Sequence, residues 1–237
     1  MKRLLLSIKN NIPNAITCTN LLCGALAIVF AFRPFDMVTT HLAGYQMAFV
    51  MIALAAVADF ADGFVARLIH AVSPLGKELD SLSDCVSFGL APAMILLNIM
   101  HVARPDGWLC YTTLLIPVFG ALRLARFNID TTQSTTFKGL PIPANALFFI
   151  GLCQWYASHH TVSQWILVVF VVAFSLLMVC NLRMFSLKLH SLSPKENFRQ
   201  YLLVAATVAF IALGGVEGLA WTILFYVILS AAAPVKQ

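Results

Sequence analysis

The sequence predicts an all-α polytopic membrane protein of about eight transmembrane helices, and three observations carry that prediction. Of 237 residues, 60% are apolar and 11% charged, against roughly a quarter charged in an ordinary soluble domain, and mean hydropathy is +0.87. Uncharged runs of about 15 to 20 residues recur along the chain, close to the roughly 20 helical residues needed to cross a hydrocarbon core of about 30 Å. With the N-terminus placed in the cytoplasm, thirteen of the 15 Lys and Arg fall on inner connections, and only Arg33 and Arg104 lie outside. This bias predicts that both termini face the cytoplasm. A soluble globule is excluded. The net charge of +5 sits in short loops between apolar runs, so it reads as a topology signal or a contact to anionic lipid rather than to nucleic acid.

Taken in order, the chain opens with Met1, Lys2, Arg3 and a short leucine run that Lys9, Asn10, Asn11 and Pro13 cut off. That pattern predicts an amphipathic stub at the membrane surface rather than a cleaved leader. Apolar runs then predict spans at about 14–32, 44–66, 81–100, 108–126, 142–158, 163–181, 200–214 and 218–233. The two longest inner connections, about 127–141 and 182–199, are polar and carry Pro or Gly. Neither is long enough for a second domain, so residues 1–237 read as one integral-membrane domain. Cys18, Cys23, Cys85, Cys110, Cys153 and Cys180 lie mostly inside apolar runs without CxxC or Cys/His spacing, and read as small buried hydrophobes. His41, His70, His101, His159, His160 and His190 lie at span ends or on an outer loop, and read as surface residues rather than ligands.

Chemistry concentrates in the acidic residues. Four of the ten, Asp59, Asp62, Asp80 and Asp84, stand at the end of span two and the start of span three. Carboxylates at membrane depth are costly and normally face a cavity with a partner. Spacings of three and four put each pair on one helical face, and two such faces can meet. Arg67 and Lys77 balance only half of this charge; two divalent cations would close the gap. Ligation by oxygen alone favours Mg²⁺ or Mn²⁺ over zinc. Gly63, Ala66 and Gly76 leave the helix walls small where a substrate can approach the backbone, and Arg67 can fork onto a phosphate. Together these features point to phosphate ester chemistry. Helix caps or salt bridges would explain one acidic pair more readily than two. A cation or proton transporter also fits the carboxylates, but leaves Arg67 and the small residues without a role.

Read as a string, Asp59-x-x-Asp62-Gly63-x-x-Ala66-Arg67, eight residues, then Gly76-x-x-x-Asp80-x-x-x-Asp84 resembles the signature of the CDP-alcohol phosphatidyltransferase family at every fixed position. The resemblance implies a six-helix core, here with two further C-terminal helices, that moves a phosphatidyl group from a CDP-linked lipid to an alcohol and releases CMP at a di-metal site. Three passages, residues 12–24, 123–128 and 137–144, resemble the branch of the family whose lipid donor is CDP-diacylglycerol and whose acceptor is L-serine. Other acceptors within the family are glycerol phosphate, an inositol phosphate or choline.

Carried over by position, the resemblance implies that Asp59 and Asp80 touch both metals, Asp62 the first and Asp84 the second, with Asp84 also the general base. A serine hydroxyl must lose its proton as it attacks, and a carboxylate beside a metal can take it. Gly63, Arg67 and Ser73 match positions that hold the CDP-lipid, and Thr17 and Asn20 on the first span are further nucleotide contacts. An amino-acid acceptor needs a cation for its carboxylate, and Arg123, Arg126, Asn128 and Lys138 are candidates; the same arginines also fit a positive-inside anchor. The resemblance further implies a homodimer in a bacterial or archaeal plasma membrane, with the site facing the cytoplasm.

Overall fold

The structure is a computed structural model and describes residues 2–129, 137–159, 162–185 and 197–232, with side chains from residue 11 onward and without that of Phe137. His160, His190 and parts of both long inner connections lie outside the described residues, as do the side chains of Lys2, Arg3, Lys9 and Asn10.

The predicted apolar runs form helices. Helix α1 (Lys2–Ala31) is followed by α2 (Gly44–Leu68) and α3 (Pro74–Asp84), which continues through a π turn (Cys85–Leu90) into α4 (Ala91–Ala103). A 3₁₀ turn (Trp108–Leu114) leads into α5 (Leu115–Ile129), and α6 (Ile142–Ser158), α7 (Gln164–Val179), α8 (Phe198–Gly214) and α9 (Gly218–Ala232) complete the helices. Strands β1 (Phe137–Lys138) and β2 (Arg183–Met184) form a two-residue antiparallel ladder. The expected N-terminal stub is part of α1, which runs through Pro13 as one 30-residue helix.

Among the described residues, five stretches are long and apolar enough to cross a membrane: Asn11–Ala31, Gly44–Leu68, Pro74–Ala103, Trp108–Ile129 and Phe198–Ala232. This architecture is that of an all-α polytopic membrane protein. The other apolar helices are shorter. Helices α6 and α7 have 17 and 16 residues, about 24–26 Å at 1.5 Å per residue, near the short end of what spans a bilayer. Helices α8 and α9 follow one another within a single apolar stretch of 35 residues. All six cysteines are free thiols, but Cys18 is exposed and only Cys110 and Cys153 are fully buried. An apolar run has an outward face, and Cys18 stands on it.

The chain divides into two compact units, Met1–Asn98 and Ile99–Gln237. In the first, the buried residues of α1 are Pro13, Thr17, Asn20, Gly24, Ala27 and Ala31, recurring every three or four positions as one helical face. The face is made of small and polar residues, which let helices approach closely in a membrane. Its partners include Ser87, whose hydroxyl donates to Asn20 O (3.0 Å), and Ser83, whose hydroxyl donates to Leu79 O (2.9 Å) and lies 3.3 Å from Thr17 O. Meanwhile Val57, Phe60 and Phe64 of α2 point outward, as apolar residues facing lipid do.

The π turn has a local cause. Pro92 has no N–H and would clash with the carbonyl four residues back. The turn before it widens, so that the Ala91 N–H reaches five residues back to Val86 O.

The second unit is built on α5, α6, α7 and α9. Phe148 and Phe174 stack at 3.6 Å between ring centroids, beside the fully buried Phe149, Leu167 and Val171. Helix α9 crosses α6 where a Cβ on Gly151 would lie 3.1 Å from Ala220 Cα. Helix α8 is largely exposed, with Leu213, Val204 and Val208 outward.

Candidate active site

Each functional side chain is set by a helix end. Helix α2 ends in a left-handed residue, His70 (φ 53°), with Ala71 N–H bonded to Ala66 O at 2.9 Å and His70 N–H to Arg67 O at 3.3 Å. This closure turns the chain sharply after Arg67. Ser73 then caps α3: its hydroxyl accepts from Gly76 N–H at 3.0 Å, and Pro74 takes the first helical position. The Asp59/Asp62 pair near the end of α2 is thus returned onto the Asp80/Asp84 pair of α3.

Asp59, Asp62 and Asp80 each offer a carboxylate oxygen, and these oxygens lie within 4.8 Å of one another. Asp84 stands one helical turn beyond Asp80 and is not part of that three-oxygen group; Asn20 Nδ2 is 3.5 Å from its Oδ1. Asp62 is buried, and its Oδ2 accepts from the Thr17 hydroxyl at 2.5 Å. Among the described residues an ion pair joins Arg33 and Asp36 at 3.9 Å, away from the four aspartates in sequence.

Three carboxylates so close repel one another by about 3 kcal/mol per pair at an effective dielectric of about 20. Asp80 Oδ1 is buried with no hydrogen-bond partner, and such acceptors in folded proteins normally have one. An all-oxygen donor set of this charge can hold a hard divalent cation.

Beside the cluster lies a cavity of about 340 Å³, with Thr17, Gly63, Arg67, Ser73 and Asp80 in its wall. Four of the five residues expected to hold the CDP-lipid therefore share one space, while Asn20 is turned to Asp84. Small residues shape it. A Cβ on Gly63 would lie 3.9 Å from Arg67 Nη2, so the guanidinium folds back over the glycine. At Gly76 a Cβ would lie 3.1 Å from both Asn14 Oδ1 and Ser73 Oγ, so its absence opens the wall to two polar groups. Asn14 and Lys77 also line this cavity, and sequence reasoning missed them as wall residues. Their signal was helical spacing: Asn14 precedes Thr17 by three, as Lys77 precedes Asp80.

The second unit holds a separate cavity of about 450 Å³ whose wall includes Arg123, Arg126, Lys138 and Cys180. Arg126 Nη1 donates to Val179 O at 2.9 Å, and Arg123 is buried with its guanidinium carbon 5.9 Å from the Phe127 ring centre. Asn128 does not line this cavity. Gly139 (φ 75°), next to Lys138 of the cavity wall, bonds its N–H to Leu182 O at 2.9 Å.

Residues 10–177 match the family model described as CDP-alcohol phosphatidyltransferase. The CDP-diacylglycerol--serine O-phosphatidyltransferase of Mycobacterium leprae (strain TN) is 36% identical over 198 residues, covering 79% of this chain and 61% of that protein. The protein of the same name from Bacillus subtilis (strain 168) is 35% identical over 80% of this chain and 98% of its own length. That from Helicobacter pylori (strain J99 / ATCC 700824) is 31% identical over 87% of this chain and 84% of its own.

Proposed function

Since the chain belongs to the CDP-alcohol phosphatidyltransferase family, we propose that it transfers the phosphatidyl group of CDP-diacylglycerol to the hydroxyl of L-serine, giving phosphatidylserine and CMP. The observation that carries this reading is the convergence of Asp59, Asp62 and Asp80 within 4.8 Å beside a cavity that contains Arg67. The name shared by relatives from Mycobacterium, Bacillus and Helicobacter supports serine as the acceptor.

In this reading Asp59 and Asp80 would hold two cations, Mg²⁺ or Mn²⁺, and Asp62 would complete the first site and Asp84 the second. When bound, the cations supply positive charge to the diphosphate. Gly63 and Ser73 leave room for the donor head and offer it a hydroxyl, with Thr17 in the same wall, and Arg67 meets phosphate oxygens. Asp84 takes the proton of the serine hydroxyl as its oxygen bonds to the lipid-side phosphorus. The bond from that phosphorus to the bridging oxygen breaks, and CMP leaves with that oxygen, its charge opposed by Arg67. Arg123, Arg126 and Lys138, with Asn128 nearby in sequence, hold the acceptor's carboxylate.

The catalytic core covers about 10–181, with the helices over about 200–233 added to it. The protein works as a homodimer in a bacterial or archaeal plasma membrane, with the site and both termini on the cytoplasmic side. Purified Asp84→Asn tests the base: loss of about 10²–10⁴ in CMP release is expected, and normal turnover would contradict the assignment. Offering glycerol phosphate, inositol phosphate and choline in place of serine tests the acceptor; CMP release with one of these and none with serine would overturn it.

A further inference from the structure

Two residues of α1, Thr17 and Asn20, face the acidic helices with both main chain and side chain. The Asn20 carbonyl accepts from Ser87 (3.0 Å), while the Ser83 hydroxyl, which donates to Leu79 O (2.9 Å), lies 3.3 Å from the Thr17 carbonyl. The Thr17 and Asn20 side chains donate to Asp62 (2.5 Å) and Asp84 (3.5 Å). Both are buried, Thr17 at 3% and Asn20 at 0% exposure.

Thr17 has one hydroxyl proton and two acceptors in reach, Asp62 Oδ2 at 2.5 Å and Pro13 O at 3.0 Å. An O–H donating to a carboxylate at 2.5–2.7 Å is the stronger, charge-assisted kind, so the proton goes to Asp62. Thr17 therefore spends its only donor on a carboxylate rather than on a ligand in the cavity. Asn20 likewise turns its amide N–H toward Asp84, while its own Oδ1 is buried without a partner. That orphaned oxygen is tolerated at a site where the amide's orientation is set by its donor side.

We infer that Thr17 and Asn20 are positioning residues, through which the first helix fixes the two outer carboxylates of the quartet, Asp62 and Asp84, in the orientation that binds divalent cations. The inference rests on the proposed metal site and deepens it. The physical basis is that a carboxylate fixed by a hydrogen bond loses less freedom when it takes up an ion; loss of such an outer partner typically costs 10–100-fold in metal affinity. Three residues apart on one face of a helix that Ser87 holds through Asn20 O, Thr17 and Asn20 act as a fixed pair.

The test is Mn²⁺ binding by the purified full-length protein, read as loss of the free-ion electron paramagnetic resonance signal, with no lipid substrate present. Thr17→Val and Asn20→Leu are each expected to weaken binding by about tenfold or more, and Thr17→Ser to restore wild-type affinity. Thr17→Ala, which keeps the small helix face, serves beside Thr17→Val; its melting temperature in EDTA is expected to stay near wild type while the upward shift on adding Mn²⁺ shrinks. Wild-type Mn²⁺ affinity in Thr17→Val and Thr17→Ala would overturn the positioning role and leave the metal site standing. A melting temperature lowered equally with and without Mn²⁺ would show a packing role only, and also overturn it. A wild-type protein that takes up no Mn²⁺ would overturn the metal site itself, and the inference with it.

Discussion

A Cβ placed on Gly24 would lie 2.8 Å from the Cα of Ser87, so the first helix meets the π turn at a point where no larger residue fits. Backbone, unlike the end of a flexible side chain, cannot swing aside. This contact stands one turn beyond the Ser87 hydrogen bond to Asn20 O and keeps α1 seated on the helix that carries Asp80 and Asp84.

Gly24→Leu is therefore expected to push α1 off its seat and destabilise the protein by about 1–3 kcal/mol. The substitution is far in sequence from all four aspartates. Thermal melting in detergent, with and without Mg²⁺, checks it: both curves should fall, and the cation should rescue less than in wild type.

Asp80→Asn should act in the opposite direction on the metal-free protein. Asp80 lies within 4.8 Å of both Asp59 and Asp62, so removing its charge relieves repulsion of about 3 kcal/mol from each of the two. The melting temperature in EDTA is expected to rise above wild type, while the stabilisation by added Mg²⁺ or Mn²⁺ disappears. A lower melting point in EDTA would mean that the carboxylate is a structural hydrogen-bonding group.

Much of this was legible in the sequence, because long apolar runs in a membrane protein are helices almost by necessity: backbone groups in lipid must bond within their own segment. The pairing of Asp59 with Asp62, and of Asp80 with Asp84, followed from helical spacing. Local backbone adjustments did not. The widened turn before Pro92 keeps the apolar run unbroken and so leaves no mark in hydropathy. The ladder of Phe137–Lys138 with Arg183–Met184 joins segments more than forty residues apart, beyond any local pattern. Thr17 and Asn20 were visible as polar residues in an apolar span, but which acceptor each faces depends on the rotation of α1 against α2 and α3. Asn128, grouped with Arg126 by proximity in sequence, falls outside the basic cavity because neighbours along a helix point in different directions.

Gly139 supports a prediction in the second unit. With φ at 75°, a Cβ there would be strained and would lie 2.9 Å from the carbonyl carbon of Met178. Gly139→Ala should thus disturb the end of α7 and the cavity containing Arg123 and Arg126. In the proposed reaction the outcome is a raised KM for serine with little change in KM for CDP-diacylglycerol, measured by CMP release over a matrix of both substrates.

His70 occupies the left-handed region (φ 53°) without the freedom of glycine. Such a backbone costs an ordinary residue roughly 1–2 kcal/mol, offset in part by the 0.5–1 kcal/mol entropy cost that glycine brings. His70→Gly should raise stability by about 0.5 kcal/mol and leave CMP release unchanged, whereas His70→Val should lower stability. Denaturant titration of the three proteins checks the order.

The most direct measurement is the product ratio with radiolabelled serine: purified protein, CDP-diacylglycerol and Mg²⁺ or Mn²⁺, with label counted in extracted lipid and CMP quantified in the aqueous phase. The account predicts one labelled lipid per CMP, with both lost together in EDTA and in Asp59→Asn. CMP released without label entering lipid, or labelled lipid formed at the wild-type rate by Asp59→Asn, would contradict it.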